Sequence, residues 1–372
     1  MDVIIEKRIA AIREALDREG LDALMVSVQE NRHYLSGYTG EDTQFDESAG
    51  VLIISKKHLV LATDSRFELQ AQTEAPGFDV VRYEKGLDTE LTDVIENLGI
   101  RRLGFESVRL SHKSHTNCVR ALENARPPVT FIPTENIVES LRQIKSEDEI
   151  QRTIKALRLA ENAFKKVLDR IRPQMTERQV AWYMEREMRE AGAQGLSFPV
   201  IVASGPNSAL PHAIPTDRPL NVGEPILIDW GARLDAFCSD TTRTFVLGKA
   251  DDPFRNVFDT VVQARDMAIA AIKAGASGTQ MDRIARDHID QKGYAGKFGH
   301  SLGHGTGLAV HEAPRLSPVR DDRLEAGMIV TVEPGIYLPG WGGIRMENQV
   351  VVRENEAQVL NANDHFNPIV EI

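Results

Sequence analysis

Two stretches of the chain place acidic residues inside what otherwise reads as buried β-strand, each symmetrically about a turn. Pro225–Arg233 and Ala236–Val246 read as two strands joined near Leu234–Asp235, with Asp229 and Asp240 equidistant from that turn. In an antiparallel hairpin without a bulge the two aspartates face each other, with Cβ atoms about 4.5–5.5 Å apart. Met328–Tyr337 and Gly343–Val352 repeat the device, with Glu333 and Glu347 equidistant from Gly340. One acidic residue in a strand usually belongs to the solvent-facing half of the alternation. Two facing pairs in Val- and Ile-rich sequence are different, because like charges held together need a cation between them.

His304, in Gly303-His304-Gly305-Thr306-Gly307, adds a nitrogen donor whose small neighbours leave the ring open and let the backbone approach closely. A phosphate-cradling loop is excluded, since no Gly-Lys-Ser/Thr follows and the acidic residues would repel phosphate. Asp229, Asp240, His304, Glu333 and Glu347 together suit two divalent first-row ions such as Mn, Co, Fe or Zn. A structural zinc site would be Cys-rich and closed.

At 372 residues the chain is long enough for two domains. The first third alternates helix and strand. A helix over about Ile4–Arg18 precedes strands at Leu21–Ser27, Gly50–Ser55, His58–Ala62 and Val80–Tyr83, which predicts a small α/β domain. The pattern breaks near Phe131–Asn136. Ser146 and Glu149 then open a long helix as a capping box, giving domains of 1–135 and 136–372. The second part shows a faint repeat: helices at 146–171 and from Thr176 precede strands near Val200 and Ile226. Helices at about 254–274 and from Thr279 precede strands near Val330 and Val350. Two helix-helix-sheet halves facing each other leave a cleft between the sheets.

A formal charge of -11 argues against nucleic acid or an anionic membrane as partner. The two cysteines, Cys118 and Cys238, form no CxxC pair. With no long apolar segment at the N-terminus or elsewhere, a cytoplasmic protein is expected.

Five ordered segments then carry a resemblance. They are Leu210-Pro211-His212; Ile228-Asp229 with Ser239–Thr244; His300–Gly307 with Val310-His311-Glu312; Val332–Gly335; and Gly343–Glu347. Together they resemble the M24 metallopeptidase family of the pita-bread fold, which includes methionine aminopeptidase, prolidase, aminopeptidase P and the metal-free creatinase. The first 130 or so residues resemble the N-terminal domain of the prolidase, aminopeptidase P and creatinase branch. The resemblance implies an α/β (α+β) protein: a C-terminal pita-bread catalytic domain with pseudo-twofold halves, plus a smaller creatinase-like N-terminal domain. Asn348 departs from the family, which usually has an acidic residue after the last ligand.

The resemblance further implies that Asp229 chelates one metal, Asp240 and Glu347 bridge the two, and His304 and Glu333 hold the other. A bridging hydroxide would attack the peptide, and Glu333 would shuttle the proton to the leaving amine. His212 and His311 would position substrate and stabilise the oxyanion. His300 reads as structural, while His33, His58, His112, His115, His288 and His365 match no motif. A homodimer is implied as well.

Arg315 and Arg345 bear on the branch. By alternation Arg345 points with Glu347 into the cleft, and either arginine matches the carboxylate terminus of a short peptide. Phe198, Ile214 and Tyr337 are candidates for an apolar wall against a proline ring. The expected activity is hydrolysis of the bond between an N-terminal residue and proline, on dipeptides or longer chains. A methionine-aminopeptidase-like or general aminopeptidase is the alternative. Creatinase-like C–N hydrolysis or a non-catalytic binding protein is disfavoured by the intact ligand set.

Overall fold

The computed structural model describes residues 2–44, 47–362 and 366–372, so His365 lies outside it. The chain divides between Arg142 and Gln143 into two compact units, where the sequence suggested a break after residue 135. In the first unit, helix Val3–Glu19 starts on an Asp2 cap and ends on left-handed Gly20. Its sheet runs Asp79–Arg82, Leu59–Thr63, Val51–Ser55, Ala23–Val26, Arg102–Glu106, Thr130–Thr134 in spatial order. Pairing is antiparallel in the middle and parallel on both sides.

The second unit contains the two expected halves. Helix Glu147–Arg170 opens with the Ser146/Glu149 capping box, and helix Glu177–Glu190 with a second box from Thr176 and Gln179. Their apolar stripes (Ala160, Phe164 and Val167; Val180, Met184 and Met188) pack on a four-stranded sheet ordered Ile369–Val370, Thr241–Leu247, Ile226–Trp230, Ile201–Ser204. Trp230 is fully buried there, stacked on Phe164 at 4.3 Å with its indole N–H donating to Ala160 O. In the other half, helices Asp252–Ala271 and Gly278–Ile289 pack on a five-stranded sheet: Glu312–Leu316, Gly303–Gly305, Ile329–Val332, Asn348–Val352, Ala357–Val359. Each sheet buries one face under helices, as an amphipathic layer must.

The two acidic hairpins differ in register. Val332 pairs with Asn348 and Gly335 with Arg345, so Glu333 and Glu347 fall at facing positions in the break between two ladders. The first hairpin corrects the expectation. Asp235 and Ala236 both adopt left-handed backbone, at φ 49° and 67°, and together make the turn. Leu234 therefore pairs with Phe237, and Asp229 faces Thr242 rather than Asp240. Asp240 sits two positions along, on the same side by strand alternation.

Candidate metal centre

Strand Ile226–Trp230 delivers Asp229, and Asp240 immediately precedes strand Thr241–Leu247. Glu347 comes from the segment between Arg345 and Asn348. Ligand oxygens of these three buried carboxylates lie within 4.8 Å of one another. His304, in strand Gly303–Gly305, brings Nε2 to 3.6 Å from Asp240 Oδ2 and 3.3 Å from Glu333 Oε1. The five donors thus form two overlapping groups that share Asp240.

The glycines beside His304 serve the sheet as much as the ring. A Cβ at Gly303 would lie 2.0 Å from Thr331 O, and one at Gly305 2.2 Å from Ala313 O. Only glycine lets this strand lie so close to both neighbours. His304 Nδ1 lies 3.1 Å from Gly305 O. With Nδ1–H donating there, Nε2 is the nitrogen that would offer its lone pair to a cation, and without one it can carry a proton toward the carboxylates.

Neighbouring groups orient these side chains. Thr242 Oγ1 donates to Glu347 Oε2 at 2.7 Å, and Thr331 Oγ1 to Glu333 Oε1 at 3.1 Å. Gln349 Oε1 accepts the Asp240 N–H at 3.1 Å. Sequence reading missed all three. Thr242 and Thr331 were findable, since strand alternation puts them on the faces of Asp240 and Glu333, but the partner of Gln349 lies in a distant segment.

Burial raises Asp240 and Glu347 well above the usual carboxylate range, and neighbouring carboxylates add to it. Burial also raises Asp229, against the opposing charge of Arg345. Burial pushes Glu333 up too, but the hydrogen bond and charge of His304 outweigh it and take Glu333 down to about 2. Asp229 Oδ1 and Glu347 Oε1 are buried without a hydrogen-bond partner. Buried carboxylate oxygens left bare are expensive. Two of them beside Asp240 and His304 fit divalent cations, whose preferred ligands are this mixture of carboxylate and imidazole.

The five donors line a cleft of about 580 Å3 together with His212, His311, Arg315, Phe198, Ile214, His300 and Arg345. The His311 ring meets His304 edge-on at 4.4 Å. Burial and the adjacent His304 lower His311 to about 4, although part of the ring remains exposed. Arg315 faces His304 across the ladder and is half-buried.

Two expectations are revised. Arg345 does point inward, but its guanidinium is engaged: Nη2 donates to Asp229 Oδ2 at 2.6 Å, Nε to Thr242 Oγ1, and Nη1 to Tyr337 Oη and Pro211 O. It orients a candidate ligand and is not open for a substrate carboxylate. Tyr337 is not among the cleft-lining residues. It is buried, with its hydroxyl between Arg345 Nη1 and His300 Nε2. The phenol's polar end found partners that an apolar wall would lack.

A buried carboxylate and imidazole cluster at the floor of a substrate-sized cleft, in a two-half pita-bread unit, defines a metal-dependent hydrolase. Comparison with known proteins narrows the class. The model of metallopeptidase family M24 matches residues 151–354, and that of the creatinase/prolidase N-terminal domain matches residues 8–144. The chain belongs to metallopeptidase family M24 and is a peptidase. A relative named Xaa-Pro dipeptidase, from Pyrococcus horikoshii, is 32% identical over 360 residues, covering 97% of this chain and 98% of the relative. The solved structure of a Xaa-Pro dipeptidase from Bacillus anthracis superposes with a TM-score of 0.91 at 37% identity, covering 99% of this chain and 100% of that one. An X-Pro aminopeptidase from Thermotoga maritima gives 0.88 at 34% identity, covering 98% and 99%. No helix among the described residues is long and apolar enough to cross a membrane.

Proposed function

We propose that the protein hydrolyses the bond between an N-terminal residue and proline, with two divalent cations held by Asp229, Asp240, His304, Glu333 and Glu347. The observation that carries this reading is the convergence of all five donors in a chain similar, over nearly its whole length, to peptidases named for Xaa-Pro substrates. Bound there, divalent cations would act as Lewis acids, lowering the pKa of water and polarising the scissile carbonyl. Asp240, which lies in both groups of donors, and Glu347 would be shared between two cations, with Asp229 on one side and His304 and Glu333 on the other.

Glu333, which accepts a hydrogen bond from Thr331, would take a proton from water and return it to the departing proline nitrogen. His311, neutral at physiological pH, donates a hydrogen bond to the scissile carbonyl oxygen without bringing a second positive charge beside the cations. His212, on the same cleft, contacts the peptide. Arg315 is the arginine left to receive a terminal carboxylate, and its planar donor fork suits one. Phe198 and Ile214 supply apolar surface for the proline ring. Cys118 and Cys238, both buried as thiols, fit a reducing, cytoplasmic setting.

Parallel kinetics on a Xaa-Pro dipeptide, a Xaa-Pro-Yaa tripeptide and a Met-Ala peptide test the reading. Cleavage of at least one proline substrate in preference to Met-Ala is expected. Cleavage of Met-Ala alone would overturn it in favour of a methionine-aminopeptidase-like activity.

A further inference from the structure

We propose that Glu177 is a positioning residue for substrate: a buried carboxylate that fixes both ends of the loop carrying His212 and Ile214. The inference rests on the reading above that this loop touches the peptide.

Glu177 lies in the first turn of helix Glu177–Glu190 and is 0% exposed. Its carboxylate is not needed to start that helix, since Thr176 and Gln179 already form the capping box. It reaches instead to the segment after strand Ile201–Ser204. One oxygen, Oε1, accepts the Ser204 N–H at 2.8 Å and the Ser204 hydroxyl at 2.9 Å. The other, Oε2, accepts the Thr216 N–H at 3.0 Å and the Thr216 hydroxyl at 2.6 Å. Asn207 Nδ2 donates to both at 3.2 Å. Burying a carboxylate is tolerable only when its lone pairs are filled, and here the donors come from the two ends of one loop and from Asn207 between them.

Between those ends, Pro211, His212, Ala213, Ile214 and Pro215 all line the cleft. Ile214 is 83% exposed and His212 is also exposed, so neither has packing that would set its position. The loop's anchors must do so. Glu177 joins its ends, and the Arg345 contact with Pro211 O ties its middle to the metal centre.

Glu177→Gln makes this testable. An amide has one acceptor oxygen and one NH2 group, so either Ser204 or Thr216 must face a donor in place of an acceptor. One end of the loop then loses its side-chain tie, while its backbone bonds (Ser204 in the sheet, Thr216 O accepting the Arg178 N–H) and the volume are unchanged. The experiment compares wild type, Glu177→Gln, Thr216→Val, His212→Ala and the Glu177→Gln/His212→Ala double variant, each loaded with Mn2+. Bound Mn2+ is counted, and kcat and KM are measured on a Xaa-Pro dipeptide. Glu177→Gln is expected to bind Mn2+ as wild type does and to lose about tenfold or more in kcat/KM, mostly through KM. Thr216→Val, which removes one hydroxyl, shifts the same way by less and covers the case in which Glu177→Gln does not fold. In the His212→Ala background the further loss from Glu177→Gln shrinks to about twofold, since coupled residues are not additive. A purely structural role would predict multiplicative losses. Wild-type kcat/KM in Glu177→Gln, or full multiplication with His212→Ala, overturns the proposal alone. Wild-type kinetics in His212→Ala overturns the assignment of this loop to substrate, and the proposal with it.

Discussion

Arg345→Met isolates the electrostatic balance of the metal centre. The guanidinium, 2% exposed, sits 2.6 Å from Asp229 Oδ2. Ligand oxygens of Asp229, Asp240 and Glu347 lie within 4.8 Å of each other, where each ionised pair would repel by roughly 3.5 kcal/mol at an effective dielectric of about 20. That repulsion is part of why Asp240 and Glu347 hold their protons. Without cations, removing Arg345 leaves a buried carboxylate facing two others, and breaking such a pair typically costs about 3–5 kcal/mol. With cations bound, the charge left on Asp229 is balanced again. The cost then falls to the hydrogen bonds with Thr242, Tyr337 and Pro211, about 1–2 kcal/mol. Linkage makes the difference, about 2 kcal/mol, a gain of roughly thirtyfold in the variant's affinity for the cation. Urea unfolding of both proteins, in excess chelator and in saturating Mn2+, measures the stability terms, and a direct Mn2+ titration measures the affinity. An Arg345→Met loss below about 1 kcal/mol in chelator, or weaker Mn2+ binding by the variant, would refute this account of what the arginine does.

Asp240→Ala should abolish hydrolysis. Exhaustive chelation of the unmutated enzyme should do the same, with Mn2+ or Co2+ restoring activity; full activity after metal removal would sink the mechanism. Arg315→Ala should raise KM for a Xaa-Pro dipeptide by about tenfold or more with little change in kcat, and an unchanged KM would remove the arginine from substrate binding. In the N-terminal unit, burial pushes Glu106 up to about 7, against hydrogen bonds from Val28, Asn31 and Ser27. The folded chain therefore holds this proton more tightly than the unfolded one, whose glutamate titrates near 4.5. The stability it contributes is complete below about pH 4.5 and is lost as pH rises through about 7. The stability of wild type relative to Glu106→Gln should accordingly fall by about 3 kcal/mol from pH 4.5 to 8, and parallel thermal-melt profiles would contradict it.

What sequence alone determined was local. The Ser146/Glu149 cap and the apolar stripe behind it specify the helix Glu147–Arg170 because their partners are three or four residues away. Glu333 and Glu347 face each other as the spacing about Gly340 implies, since Leu338 pairs with Gly342 across that short turn. The same argument gave the wrong partner for Asp229, because left-handed backbone at Asp235 and Ala236 moved the turn's centre and shifted the register. Alternation still kept Asp229 and Asp240 on one side, so the cluster forms in either register. Tertiary structure alone decided the uses of Arg345, Tyr337 and Glu177. A long polar side chain goes where buried donors and acceptors need it, and for these three the partners Asp229, His300 and Thr216 are dozens of residues away along the chain. No local pattern carries that information; packing supplies it.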